Sequence, residues 1–221
     1  MRAAAKGIRK LIIVAAVAAE LQPLQALLEH RRVAPSLDLE FRTVGVGAIN
    51  STIELSRLAP EGDEAQVVLI GTAGMLGSDF TPGSLYQASV FRWYSVGLAL
   101  GEAYLPEGTH PDVPAQVIPS ASAGTPLLPV ITTPEITGSD VLARALQERC
   151  GVGLENLEAY GIARYLHRTG RSLSAFFGVT NAVGSESRSQ YLQYREFAWE
   201  RLAHAIHALL LSGVFFDGSR S

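Results

Sequence analysis

Short β-branched apolar runs alternate with helical stretches along most of this chain, and that alternation constrains the fold more than any other feature. Residues 11–17 (Leu-Ile-Ile-Val-Ala-Ala-Val) contain no polar side chain, so a strand there needs cover on both faces. A helix is expected over 20–31, a strand over 39–46, and a helix over 50–58 after a glycine turn. A β-branched strand over 66–70 is expected to end in Gly71-Thr72-Ala73-Gly74, followed by a long, partly alternating strand over 84–95. Ser139-Asp140 caps a helix that Gly151 stops, and a second helix is expected over 154–167. A buried strand over 174–180 precedes Ser187-x-x-Gln190, a capping-box pattern opening a terminal helix to about 211. Residues 104–134 hold seven of the eleven prolines, so most of that stretch reads as loop, with one short strand near 115–118. A loop that long in a compact domain usually serves a function. The pattern predicts an α/β fold with a mostly parallel sheet and one domain over 1–221, because the proline-rich stretch sits inside the alternation.

Charge and cysteine content narrow the function. Over 221 residues the formal charge is −3 and charged residues make up 18%, which argues against a nucleic-acid partner needing a basic face. The lone cysteine, Cys150, allows no intrachain disulfide and no thiolate metal cluster, and suits a reducing, cytoplasmic setting. Arg2, Lys6, Arg9 and Lys10 before the apolar run, with Ala16-Val17-Ala18 at its end, also fit a leader with a cleavage site. The run is too short to span a bilayer, and its β-branched residues followed by a helix favour the strand. No membrane partner is expected.

In open α/β sheets, ligands sit beyond the carboxyl ends of the strands. Glu20, Gly45–Asn50, Gly71–Gly74 and Asn181 follow the four expected central strands and should converge. Gly45-x-Gly47 lacks a third glycine and reads equally well as a tight turn into a helix. Gly71-Thr72-Ala73-Gly74 lets backbone N–H groups approach a ligand with no side chain in the way. In the expected helix over 154–167, Glu158 falls inside the apolar arc beside Gly161, whose missing side chain would open space. A carboxylate there needs a partner, and buried carboxylates concentrate at functional sites. Asn181 closes an apolar run and fits a cap or a site equally well. His204 and His207 have no acidic or cysteine neighbour, so no metal site is expected, and no Gly-x-Ser-x-Gly elbow supports a serine nucleophile.

Taken together, the strand leading to Glu20, then Val44-Gly45-Val46-Gly47-Ala48-Ile49-Asn50, Ile70-Gly71-Thr72-Ala73-Gly74, Asn156-Leu157-Glu158-Ala159 and Val179-Thr180-Asn181 resemble the nucleoside phosphorylase/nucleosidase superfamily, in its hydrolytic branch. That branch includes methylthioadenosine/S-adenosylhomocysteine nucleosidase and futalosine hydrolase. The resemblance implies a three-layer α/β fold with a mixed, partly barrel-like sheet, a homodimer, a purine nucleoside substrate and no cofactor. It implies that Glu20 activates water, Thr72 lies near sugar and water, and Glu158 with Leu157 meets the ribose hydroxyls. It also implies that Ala73, Gly74, Ile136, Thr137 and Thr180 line the substrate, and that Asn181 stands where the branch has an aspartate donating to purine N7.

Two positions depart from that pattern. Asn181 has no titratable proton to give, but one amide can serve both N7 and O6 of a 6-oxopurine, which favours a hypoxanthine-type leaving base. Phe177 stands where methylthioadenosine nucleosidases resemble one another in an arginine near the water. Phosphate as nucleophile calls for arginine donors; Leu69 occupies the place expected for one, leaving Arg42 and Arg188, so water is the expected nucleophile. Cleavage of an adenine nucleoside, phosphorolysis, and nucleoside binding without turnover are the alternatives.

Overall fold

The apolar run near the start of the chain is a strand with both faces buried. The computed structural model describes residues 10–29, 38–58, 65–77, 80–107, 109, 112–119 and 124–215. Its elements follow the chain as β1 (Lys10–Ala15), α1 (Ala18–Glu29), β2 (Asp38–Thr43), α2 (Ala48–Leu58), β3 (Gln66–Leu76), β4 (Leu85–Trp93) and α3 (Val96–Leu100). They continue as β5 (Asp112–Pro114), β6 (Leu127–Thr132), α4 (Asp140–Cys150), β7 (Gly153–Glu155), α5 (Ala159–Arg168), β8 (Leu173–Ala182) and α6 (Ser187–Ser212). The basic residues Arg2, Lys6 and Arg9 and the expected helix end at 30–31 lie outside the described residues.

β2, β1 and β3 pair in parallel, and β8 continues the parallel arrangement beside β3. β8 then meets β4 antiparallel, β4 meets β6, β6 meets β7, and β7 returns antiparallel to β3. The ring β3–β8–β4–β6–β7 is closed, with β5 on β4 and the β1–β2 pair extending from β3. The sheet is therefore mixed and partly barrel-like, as the resemblance implied.

Strand periodicity divides the core. Ile12, Val14, Val67 and Leu69 pack with Leu55 of α2 and Ile162 and Leu166 of α5. The alternate residues Leu11, Ile13, Val68 and Ile70 pack with Leu24 of α1 and Leu202 and Ile206 of α6. Helices thus cover two faces of the sheet, and each fully buried aliphatic side chain contributes roughly 1.5–3 kcal/mol.

Five expectations are corrected. Residues 154–167 are not one helix: β7 takes Gly153–Glu155 into the barrel, and α5 starts only at Ala159. Asn156 makes the break, its Oδ1 accepting from the N–H groups of Glu158 (3.0 Å) and Ala159 (2.9 Å). The Gly71–Gly74 run is no turn; β3 passes straight through it to Leu76. The proline-rich stretch contains β6, whose Pro129 sits where the register with β4 slips between Ala88 and Val90, an irregularity that tolerates a residue with no N–H. The short strand expected near 115–118 lies at Asp112–Pro114. Finally, Ser187 opens α6 without a capping box, because the Gln190 Oε1 accepts instead from the Ala182 N–H at 2.8 Å.

Candidate active site

A cavity of about 550 Å³ opens past the end of β1, where β3, β7 and β8 deliver Thr72, Glu155, Thr180 and Asn181. Glu20 enters it from the first turn of α1. Its Oε2 accepts from the N–H groups of Ala16 (3.1 Å) and Val17 (3.4 Å), and its Oε1 from the Thr72 N–H (3.1 Å) and hydroxyl (3.3 Å). Gly71 leaves room for this approach, since a Cβ there would stand 3.4 Å from Oε1. Burial raises the Glu20 pKa from its ordinary 4.5 to about 7; the negative charge of Glu158 adds to the rise and the hydrogen bonds partly oppose it. Near neutrality this carboxyl is divided between its two protonation states.

Glu158 stands at the entrance to α5, buried, with Oε1 accepting from the Gly47 N–H at 2.9 Å. Gly47 has φ +87°, a turn conformation open to glycine, so the Gly45-x-Gly47 turn leads into α2 and also supplies a donor to the site. Burial pushes the Glu158 carboxyl upward as well. Gly161 does not open space beside it: a Cβ there would lie 2.5 Å from the Ala48 carbonyl oxygen and the Thr52 hydroxyl, so this glycine lets α2 and α5 touch.

Asn181 arrives through an irregularity in β8. Opposite β3 the register runs Ala73 to Val179 and then Gly74 to Asn181, so Thr180 is the extra residue. The Asn181 Oδ1 accepts from the Thr180 hydroxyl at 2.8 Å, and its Nδ2 donates to the Ala182 carbonyl at 2.9 Å. One amide hydrogen and one lone pair remain for a ligand. Gly74 is needed here, because a Cβ would come within 2.8 Å of Nδ2.

Glu20, Thr72, Ala73, Gly74, Ile136, Leu157, Glu158, Thr180 and Asn181 all line this cavity, so the separated expectations converge in space. Thr137 does not line it; its N–H and hydroxyl both bond Glu155. Phe177 is fully buried in the core shared with α2 and α5 and takes no part in the cavity. Arg42 pairs with Glu40 away from the cavity, whereas Arg188 lines it. Sequence reasoning missed Glu155, Asn156, Ser187, Tyr191 and Leu192 as lining residues. Asn156 and Glu155 were hidden by the helical reading of their segment, although an asparagine three residues before an amphipathic stretch is itself a cap signal. Among the described residues no group of His, Cys, Asp and Glu is placed to hold a metal ion, and no helix is long and apolar enough to cross a membrane.

Such a site can hold a neutral polyol through its acids, prepare a water at Glu20, and meet a heterocycle at Asn181. The sequence matches no protein-family model and no curated protein. Solved structures do match. Methylthioadenosine/S-adenosylhomocysteine nucleosidase from Helicobacter pylori aligns with a TM-score of 0.77 at 13% identity, over 92% of this chain and 98% of its own. Futalosine hydrolase of Helicobacter pylori strain 26695 aligns at 0.78 and 13% identity, over 92% and 97%. The methylthioadenosine/S-adenosylhomocysteine nucleosidase from S. pneumoniae, bound to a transition-state inhibitor, aligns at 0.74 and 17% identity, over 91% and 98%. This chain has the nucleosidase fold. In the nucleosidase fold as this chain builds it, the cavity sits where the closed ring of strands meets the β1–β3 parallel pair and the first turn of α6.

Proposed function

We propose that this protein hydrolyses the N-glycosidic bond of a purine nucleoside. The observation that carries the reading is one cavity holding Glu20, a carboxyl titrating near neutrality, together with Glu158 and Asn181. Breaking such a bond passes through an oxocarbenium-like state, which needs a nucleophile prepared on one side and a base stabilised as it leaves on the other. In this reading ionised Glu20 takes a proton from water, which the Thr72 hydroxyl helps to hold. Glu158 accepts from the ribose hydroxyls, fixing the sugar and countering the positive charge that develops on it. Asn181 transfers no proton, so the base leaves with the bonding electron pair, stabilised by the hydrogen bond from the Asn181 amide, and takes up its proton from solvent.

The first reading is a 6-oxopurine such as hypoxanthine, with a futalosine-like nucleoside as substrate: the N–H left on Asn181 donates to O6 and its remaining lone pair accepts from a protonated N7, whereas adenine is met by donating to N7 and accepting from the 6-amino group. Release of adenine, as by a methylthioadenosine/S-adenosylhomocysteine nucleosidase, is the second reading, supported by the solved nucleosidases of that name sharing this fold. Arg188 on the cavity wall is the one lining cation among the described residues, which keeps phosphate in the test. A base-release screen with inosine, guanosine, adenosine, methylthioadenosine and futalosine, each with and without phosphate, decides among these. Free base without phosphate is expected; strict phosphate dependence would make the protein a phosphorylase, and nucleoside binding with no turnover a binding protein. The reading includes a cytoplasmic homodimer. Val46, Ile49 and Ile53, exposed at and near the start of α2, supply apolar surface suited to self-association.

A further inference from the structure

The run Glu155-Asn156-Leu157-Glu158 contains one acid with no part in the chemistry just described. Glu155 is the last residue of β7 and is buried at 7% exposure. Gly74 of β3 is its register partner on one side, and Gly74 in turn faces Asn181 of β8, so Glu155 and Asn181 stand in one row with a glycine between them. The Glu155 carboxylate accepts from the Thr133 hydroxyl at 3.1 Å, the Thr137 N–H at 3.3 Å and the Thr137 hydroxyl. Thr133 and Thr137 bracket the connection from β6 to α4, and between and after them Ile136 and Gly138 line the cavity. One buried side chain therefore draws together two points of a loop that would otherwise have no strand or helix to shape it.

The far end of the same segment is also fastened. Asp140, at the start of α4, accepts from the Ser185 N–H at 2.9 Å and hydroxyl at 3.1 Å, four residues beyond Asn181. Contact there is close enough that a Cβ on Gly184 would lie 2.5 Å from the Asp140 carboxylate.

We propose that Glu155 is a positioning residue that holds segment 133–138 in place as a wall of the base end of the cavity. The proposal rests on the nucleosidase reading for what the wall contacts, and on geometry alone for the clamp itself. Three acceptor positions of the carboxylate are occupied by donors of the segment, so Glu155 acts on a ligand through the segment and not by touching the reacting bond. A carboxylate suits this place because every partner can donate to it, whereas an amide would set its own N–H against the Thr137 N–H or a threonine hydroxyl hydrogen.

Two arms test it on the full chain, with Glu155→Gln and the milder Thr137→Val. Hydrogen exchange on the ligand-free protein reads the clamp without reference to activity. Amides of 133–138 should exchange about tenfold faster or more in both variants, the order expected for losing a hydrogen bond to a charged group, with β3 and β8 protection unchanged. In base release from the best nucleoside of the screen, KM should rise about tenfold while kcat stays within about twofold; Glu20→Gln should show the opposite split. Unchanged exchange in 133–138 overturns the proposal, and so does a loss of kcat at constant KM in Glu155→Gln. If the wild-type protein cleaves no nucleoside, the function reading fails separately while the exchange arm still decides the clamp.

Discussion

Glu20 is held by four donors and yet titrates near neutrality, because burial and the nearby charge of Glu158 outweigh those donors. Two measurable consequences follow from that balance. If ionised Glu20 is the base, kcat/KM should climb about tenfold per pH unit below about 7 and level off above it; in Glu158→Gln the break should move to lower pH. Glu20→Gln should reduce kcat by about 10²–10⁴-fold. Stability should respond in the opposite sense. An unfolded Glu20 loses its proton near 4.5 and the folded one near 7. Between those values the unfolded chain holds fewer protons, so stability falls as pH rises, by roughly 3 kcal/mol in all. Glu20→Gln should therefore melt above wild type at pH 8 and close to it at pH 4, as differential scanning calorimetry will read. Glu20 was legible from its place beyond the first strand, and Glu158 from its place in an apolar arc, where an acid demands a partner. Glu155 was not, because its partners Thr133 and Thr137 come from a loop whose path no local pattern dictates.

At the level of elements, close approach between α2 and α5 decides where Gly47 meets Glu158. Alanine in a helix interior normally stabilises relative to glycine by about 1 kcal/mol. In Gly161→Ala the added Cβ would strike the Ala48 carbonyl and Thr52, so the expected sign reverses. Overpacking should lower stability by roughly 1–3 kcal/mol, visible as a reduced denaturant midpoint, and should weaken substrate binding by displacing the Gly47 donor. The strands that read as buried apolar runs, β1, β3 and β8, were readable from sequence. β6 was obscured by Pro129, which its neighbour accommodates through a register slip that exists only once the sheet has formed. β7 was obscured by its brevity: Leu154 and Leu157 fall at helical spacing, and only pairing with β3 on one side and β6 on the other makes residues 153–155 a strand.

For the molecule as a whole, ligand binding should appear as added stability. A nucleoside at a hundred times its dissociation constant should contribute about 2.7 kcal/mol. For a chain of this size that raises the melting temperature by about 5–10 °C if binding is confined to the folded state. Exchange of Asn181→Ala should diminish the shift for a purine nucleoside while leaving the unliganded melting point within a few degrees. Strand–helix alternation with a mostly parallel sheet was readable at this scale, and the three layers were implied by family resemblance. The closed ring was implied by family resemblance and not by periodicity, because closure depends on pairings between distant segments. The same three residues that shut that ring, Gly153–Glu155, run directly into Asn156, Leu157 and Glu158. A molecule whose barrel springs open at this seam would lose its sugar anchor and the fastening of its 133–138 wall in one event, so partly open forms should be blind to ligand, and ligand should act as a latch on the seam.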